Sequence, residues 1–520
     1  MIQQKQLKKY AHEVSQKLIH RTSHFSKIPK LNKLVGTKHL EKVQTWILNR
    51  QLKQFKQTPW GKRHLSQCYS YETFKNTCPE TSYSDWKELI EKQRNLRQEV
   101  FSPKVQRYVP TSGSSDLIKW IPYTKLFNQE LQSALSSWLA NIAILYPKTC
   151  QGSHYWSLSW LPDSLRINGE TTDDSQVLSK LSRFLYKQIM AVPSEVGQLP
   201  SCRDTRFASA IYLCACQSLS VVSFWSPTLG LELLQDIIAH KETIADILGG
   251  GSWNYPVPAP RSPRNASILR TWNSGEAPQE LFRALWPKLS LVSAWDTGSS
   301  RIWAEKLKRL LAPANFQGKG LWATEGVVSI PINGCNVLAA TSHFYEFKLI
   351  STGEIIPSWQ LETGVEVQPI LTTGSGLLRY QLFDKMVCRG FLGALPKLEF
   401  MGRLGGIDMV GEKLDYSHVG KYLNILRGNG IPALSLIGVN RKNPHYILLI
   451  KREIDLATNN SIRSETENFL RQSHHYALAQ DMGQLGSLEV IGSQDALGYY
   501  HGLFTKPRGQ IKIEDLALAQ

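Results

Sequence analysis

Apolar positions along the chain switch between two spacings, and the switching predicts a mixed α/β protein. Short apolar runs rich in aromatic and β-branched residues predict strands over 155–161, 289–294, 326–332, 345–350 and 368–373. Helical spacing between them predicts helices over 175–191, 228–247 and 278–285. Residues 255–264, YPVPAPRSPR, carry too much proline for either and predict an extended loop. Near residues 395–406 the strand-like text ends, and Gly402, Gly405 and Gly406 give the backbone the freedom of a hinge. Beyond it, strands over 433–438, 446–451 and 487–491 and a helix over 464–478 predict a smaller α/β unit. At the other end, Leu7, Tyr10, Ala11, Val14, Leu18 and Ile19 recur at helical spacing among lysines, and a second helix is predicted over 38–56. The expected organisation is a basic helical segment over 1–64, a large domain over 65–401 and a small C-terminal domain over 402–520.

Composition supports this division. A chain of 520 residues is too long for one core, and 42% hydrophobic residues with 15 tryptophans can fill two. No stretch supplies the roughly 20 uninterrupted apolar residues that span a bilayer. The opening residues MIQQKQLKKYAHEV lack the apolar core of a secretory signal, so a cytoplasmic location is expected. Eight cysteines make no disulfide framework, and the C-x-C pair Cys214 and Cys216 has no second pair or histidine at a zinc spacing; both are expected in the core. Charge adds one feature. Of the net +17, residues 1–64 carry +13. Such a segment is a solvated helical face, or a docking surface for an acidic carrier protein or an anionic membrane. No recognition motif accompanies it, which argues against nucleic acid.

Four phrases carry candidate chemistry. In residues 108–119, YVPTSGSSDLIK, a hydroxyl-rich turn around Gly113 can present N–H and O–H donors to phosphate oxygens, with Lys119 as a point charge; the spacing is not that of a Walker P-loop. In residues 321–326, LWATEG, Glu325 can hold Mg²⁺ against a phosphate and Thr324 can hydrogen-bond near the reacting centre. In residues 371–384, LTTGSGLLRYQLFD, Asp384 can accept two ribose hydroxyls. In residues 402–414, GRLGGIDMVGEKL, Arg403 beside glycines can reach ribose or phosphate.

Taken in this order, the four phrases resemble those of the adenylate-forming superfamily of acyl-CoA synthetases, luciferases and peptide-synthetase adenylation domains. Within it the chain is most similar to the auxin-conjugating Gretchen Hagen family of acyl-acid amido synthetases, as a divergent bacterial-type member. The phrases IPYT (121–124), FYEF (344–347) and TTGSGLLRY (372–380) carry that likeness, helped by SFWSP (223–227) and LWPKL (285–289). The resemblance implies a large adenylate-forming domain with mixed sheets and a small α/β lid, and ATP and Mg²⁺ as cofactors. It implies that Ser112, Gly113, Ser114 and Ser115 cradle phosphates with Lys119, that Thr324 sits at the adenylate and that Glu325 ligates Mg²⁺. Asp384 would hold the ribose, Arg403 would contact the nucleotide and Lys413 would reach the α-phosphate. Transfer to an amine or amino acid is the implied second step, with a carrier-protein or CoA thiol as the alternative acceptor.

The chain departs from the superfamily pattern in places. Asp116 and Phe383 stand where glycine is usual, Leu321 stands where an aromatic stacks on adenine, with Trp322 as its substitute, and Gln510 replaces the C-terminal lysine, leaving Lys506 and Lys512 as candidates. These departures keep open a third reading, a non-catalytic nucleotide- or acyl-binding homologue. Tyr155, Trp156, Trp160, Phe224 and Trp225 are candidate walls of an acyl pocket or, equally, residues of the ordinary core.

Overall fold

Four short strands, Ser153–Trp156, Leu219–Ser223, Leu291–Ala294 and Asn315–Gly318, pair side by side in that order and all run parallel. The computed structural model describes residues 37–112, 118–158, 188–273, 275–503 and 513–519. Because successive strand residues face opposite sides, the sheet has two different faces. Tyr155, Val222, Val292 and Phe316 join a core formed with helices Cys202–Ala215, Pro227–Ala239, Lys241–Gly249, Pro263–Thr271 and Pro278–Leu285. Val221 and Leu291 face the other way and meet Leu135, Trp138 and Ile142 of the long helix Lys125–Leu145. Helices on both faces are what an all-parallel sheet requires.

That long helix serves a second core with its first half. Phe127, Leu131 and Ala134 pack with an eight-stranded sheet and the helices Thr37–Phe55, Pro59–His64, Tyr71–Thr77 and Tyr83–Leu96. The sheet order is Ile355–Pro357, Phe344–Leu349, Glu366–Thr372, Asp384–Leu392, Leu395–Arg403, Cys335–Leu338 and Ser329–Ile332, with Tyr380–Gln381 pairing Glu366–Thr372 from the side. Strand Phe344–Leu349 is antiparallel to both neighbours. Two-stranded elements carry the chemical phrases. Val105–Ser112 pairs with Ile118–Thr124, and Trp322–Ala323 pairs with Gly326–Val327.

The parallel and eight-stranded sheets belong to one compact unit; a second holds the described residues of 112–119, 298–302 and 402–520. In the second, strands Glu489–Gly492, His445–Ile450, Ala433–Val439 and Leu516–Ala519 form a mixed sheet in that order. Helices Tyr416–Gly428, Leu456–Leu470 and His474–Asp481 close its core around Leu423, Leu426, Ile462 and Tyr476.

Some expected elements divide. The 228–247 helix is two, separated at His240, whose φ of −113° and ψ of 25° leave the helical range. The apolar stripe continues through the break, from Leu233, Leu234 and Ile237 to Ile244 and Leu248, so periodicity hides it. The 464–478 helix is likewise two, reopened at Ser473. The 326–332 strand is two, Gly326–Val327 and Ser329–Ile332. Helix 38–56 is found as Thr37–Phe55, whereas the basic pattern around residues 7–19 and most of 175–191 lie outside the described residues. Cys214 is fully buried in the helical core, and burial pushes its thiol up from the ordinary value. Among the described residues no helix is long and apolar enough to cross a membrane.

Candidate active site

The antiparallel pairing of Trp322–Ala323 with Gly326–Val327 leaves Thr324 and Glu325 as the turn between them. Tyr123, from the IPYT phrase, donates its hydroxyl to the Thr324 carbonyl at 3.2 Å and so fixes the turn. Only glycine fits at 326, because a Cβ there would stand 2.7 Å from Leu371 Cδ2 and 3.0 Å from His343 Nε2. Thr124 caps the Lys125–Leu145 helix by accepting from Phe127 N–H. Ser112 ends one strand of its two-stranded element and Lys119, partly buried, lies in the returning strand; Gly113, Ser114, Ser115 and Asp116 lie outside the described residues. Asp384 opens strand Asp384–Leu392 and is 9% exposed, and the neighbouring Phe383 is 41% exposed.

The C-terminal ends of the parallel strands are the position where α/β sheets bind ligands. Trp156, Ser223, Ser293 and Gln317 are register partners across the four strands. They share the face that Val221 and Leu291 turn toward helix Lys125–Leu145. Lys319, just past the last strand, donates to Ser223 Oγ at 2.8 Å. Its ammonium lies 4.9, 6.0 and 4.4 Å from the ring centres of Trp138, Trp156 and Trp225. Trp322 tilts against Trp138 with centroids 6.2 Å apart, so the Thr324–Glu325 hairpin adjoins this cluster.

This divides the candidate pocket wall. Trp156 and Trp225 face the cluster, whereas Tyr155 and Phe224 are 3% and 1% exposed and pack into the helical core on the opposite face. One residue of offset on a strand reverses the face. Trp160 lies outside the described residues. Lys319 was not among the expected site residues; a single lysine after a short strand carries no sequence signal.

Two familial phrases prove to be structural. Arg379, in the TTGSGLLRY phrase, makes a two-pronged ion pair with Glu346 of FYEF, Nε to Oε2 at 2.8 Å and Nη2 to Oε1 at 3.0 Å. Its Nη1 also donates to the carbonyls of Lys75 and Cys78. The TTGSG segment is itself buried, and Gly374 N–H donates to Glu130 at 2.7 Å. Glu130 further accepts from Gln51 Nε2 at 2.9 Å and faces His343 Nδ1 at 2.8 Å. A carboxylate with no solvent exposure thus joins two helices, a strand entry and a loop, as a buried charge must if it is to be satisfied.

In the second unit, the GEK phrase folds around Glu412. Its buried carboxylate accepts from the N–H groups of Met409 and Val410 and from Tyr446 Oη at 2.6 Å. Lys413 follows with a left-handed φ of 49°, a conformation side chains avoid unless held. Burial, then the nearby Asp408 charge, push the Glu412 carboxyl up to about 7. His475 is held well below its ordinary value, by burial first and then by Lys413, His474 and Arg403. Since the folded Glu412 value lies above the ordinary 4.5, its contribution to stability is full below pH 4.5 and lost as pH rises through 7. The change is on the order of 3 kcal/mol. Glu412→Gln is expected to remove this slope; unfolding of both proteins by urea between pH 5 and 8 measures it. His475 acts with the opposite sign in both proteins and cancels in the difference. Parallel pH profiles would refute the assignment.

Among the described residues no three His, Cys, Asp or Glu side chains gather into a metal cage. A single turn carboxylate such as Glu325 is nevertheless the donor Mg²⁺ commonly uses, since that ion completes its shell with phosphate oxygens and water.

Comparison with known proteins places this geometry. Residues 31–315 match the model described as the GH3 family N-terminal domain, and residues 336–403 match the GH3 family central domain. No curated protein matches in sequence. Two solved structures of the GH3.15 acyl acid amido synthetase, one in complex with 2,4-DB, align over 94% of this chain and 93% of theirs. Their identities are 16% and 17% and their TM-scores 0.60 and 0.63, a likeness of fold. A Vibrio cholerae adenylation domain, AlmE, in complex with glycyl-adenosine-5'-phosphate aligns over 79% of this chain and 69% of its own, at 11% identity and a TM-score of 0.39.

Proposed function

Because the chain belongs to the GH3 family, we propose that it activates a carboxylic acid with ATP as the acyl-adenylate and passes the acyl group to an amine or amino acid as an amide. The observation that carries this reading is the Thr324–Glu325 hairpin turn set against a tryptophan-lined face at the ends of parallel strands. The names of the similar structures, acyl acid amido synthetases, favour an amine acceptor over a thiol.

In this reading one oxygen of the acid attacks the α-phosphorus, and the bond to the bridging oxygen breaks to release pyrophosphate. The amine nitrogen then attacks the acyl carbon, loses a proton and expels AMP. Ser112, Gly113, Ser114 and Ser115 donate to the triphosphate, and Lys119 offsets its charge. Thr324 hydrogen-bonds the adenylate, held in place by Tyr123. Trp322 is the aromatic for the adenine, Asp384 accepts the ribose hydroxyls, and Arg403 and Lys413 supply cations as charge develops on phosphorus. Glu325 is the residue that would hold Mg²⁺, which neutralises phosphate charge when bound with ATP.

The test is exchange of labelled pyrophosphate into ATP across a panel of carboxylic acids. Acid-dependent exchange is expected, followed by amide formation when amino acids are added. Nucleotide binding without exchange for any acid would instead establish a binding protein, and product formation on a carrier-protein thiol alone would move the acceptor.

A further inference from the structure

The face of the parallel sheet described above is unusual in chemistry as well as in position. An acyl pocket built only for an apolar chain needs apolar walls. Here the register places Ser223, Ser293 and Gln317 side by side, on strands about 4.8 Å apart. Ser293 and Gln317 are 1% and 5% exposed. Gln317 Oε1 accepts from Trp138 Nε1 at 2.8 Å, which aims the amide at the helix and leaves Nε2 outward from that bond. Neither Gln317 Nε2 nor Ser293 Oγ has a hydrogen-bond partner among the described residues. Beside them stands the Lys319 ammonium, on Ser223 and under three indole rings.

Three of the groups brought together are donors: an ammonium, an amide N–H₂ and a hydroxyl. Buried polar groups are normally satisfied, so unmet ones mark a place for a ligand with the complementary atoms. Donors grouped beside a cation take an oxygen anion, and a carboxylate has the lone pairs to meet all three. The Thr324–Glu325 turn is separate from this group: Trp322 of the hairpin tilts against Trp138, and the Trp138 ring stands between Trp322 and the ammonium it holds at 4.9 Å. The donors therefore meet a part of the acid one indole layer away from the carbonyl that reacts.

We propose that this face is an oxyanion subsite, and that the acid activated here is a dicarboxylic acid with an aromatic or apolar body: one carboxylate reacts and the second is held by Lys319, Gln317 and Ser293. The proposal rests on the acid-activation reading for the identity of the pocket, and on the register and the buried donors for the class of acid. The indole faces of Trp138, Trp156 and Trp225 hold the ammonium in place by cation–π attraction, so the anchor is set before the substrate arrives.

The experiment compares benzene-1,4-dicarboxylate with benzoate in pyrophosphate exchange, for the wild type, Lys319→Met and Ser293→Ala. The wild type is expected to prefer the diacid in kcat/KM by about 30-fold or more, as a site built to bond a polar group does. Lys319→Met is expected to collapse that ratio to near one, and Ser293→Ala, which removes only a hydroxyl, to lower it severalfold. Calorimetric titration of both acids with a non-hydrolysable ATP analogue reads the same preference without turnover. If exchange is absent for every acid while binding keeps the diacid preference and loses it in Lys319→Met, acid activation fails and the subsite stands. A wild type that binds and activates both acids equally overturns the proposal. So does a diacid preference that survives in a folded Lys319→Met, and Ser293→Ala decides in the same way if that variant does not fold.

Discussion

Glu325→Gln is expected to lower acid-dependent pyrophosphate exchange by about 100- to 1,000-fold, the range found when one fixed electrostatic partner of a transition state is removed. Glutamine keeps the size of the side chain and its ability to sit in the turn, and removes the charge that holds a cation against phosphate. The turn itself is fixed by groups the substitution leaves alone: the Tyr123 hydroxyl on the Thr324 carbonyl and the ladder between Trp322–Ala323 and Gly326–Val327. Partly exposed and outside the apolar clusters, residue 325 carries little packing, so thermal stability should change by about 0.5 kcal/mol or less. Exchange rates and melting curves on the same preparation separate the two effects. Unchanged exchange would remove Glu325 from the site; a large fall in melting temperature would show it to be structural.

The second large effect is on stability. Arg379→Ala is expected to destabilise the first unit by about 3–5 kcal/mol, because it strands the Glu346 carboxylate in an interior it cannot leave. Glu346 is 1% exposed and, among the described residues, keeps the Tyr71 hydroxyl at 3.0 Å once the guanidinium is gone. The carbonyls of Lys75 and Cys78 lose their donor as well. Arginine also sits at φ 47°, a left-handed conformation that the two-pronged pair maintains. The double variant Arg379→Ala/Glu346→Gln should recover part of the loss, since no charge is then left unpaired. Denaturant unfolding of the wild type, the two single variants and the double measures this; additive losses would argue against the pairing as the cause.

Much of the fold was legible because apolar periodicity reports burial directly. The strands found as Leu291–Ala294, Phe344–Leu349 and Glu366–Thr372 and the helix Pro278–Leu285 lie where short apolar runs and helical spacing put them, within two residues. What periodicity cannot show is a break that leaves the stripe intact, as at His240, or a pairing between distant positions. Glu130 and His343 are 213 residues apart, and nothing local marks either as a member of one buried web. The chemical phrases were legible by type and less so by role. Thr324 and Glu325 do occupy a turn at the edge of a candidate pocket, whereas Arg379, in an equally suggestive phrase, serves the interior. Wall and core stayed unresolved among the aromatic residues for a simple reason: aromatic character was weighed without parity. Tyr155 against Trp156, and Phe224 against Trp225, differ by one position and therefore by one side of the sheet. That signal was in the sequence; the lysine that completes the cluster was not.

The two-faced character of the parallel sheet has a consequence for substitution along its strands. Tyr155, Val222, Val292 and Phe316 anchor the domain, while Trp156, Ser223, Ser293 and Gln317, one position along on the same strands, meet the candidate ligand face. Adjacent positions thus pack on different sides, one set in the helical core and the other toward helix Lys125–Leu145. Ser223, Ser293 and Gln317 are nonetheless almost fully buried, so changes on the second face act on packing as well as on what that face can bind.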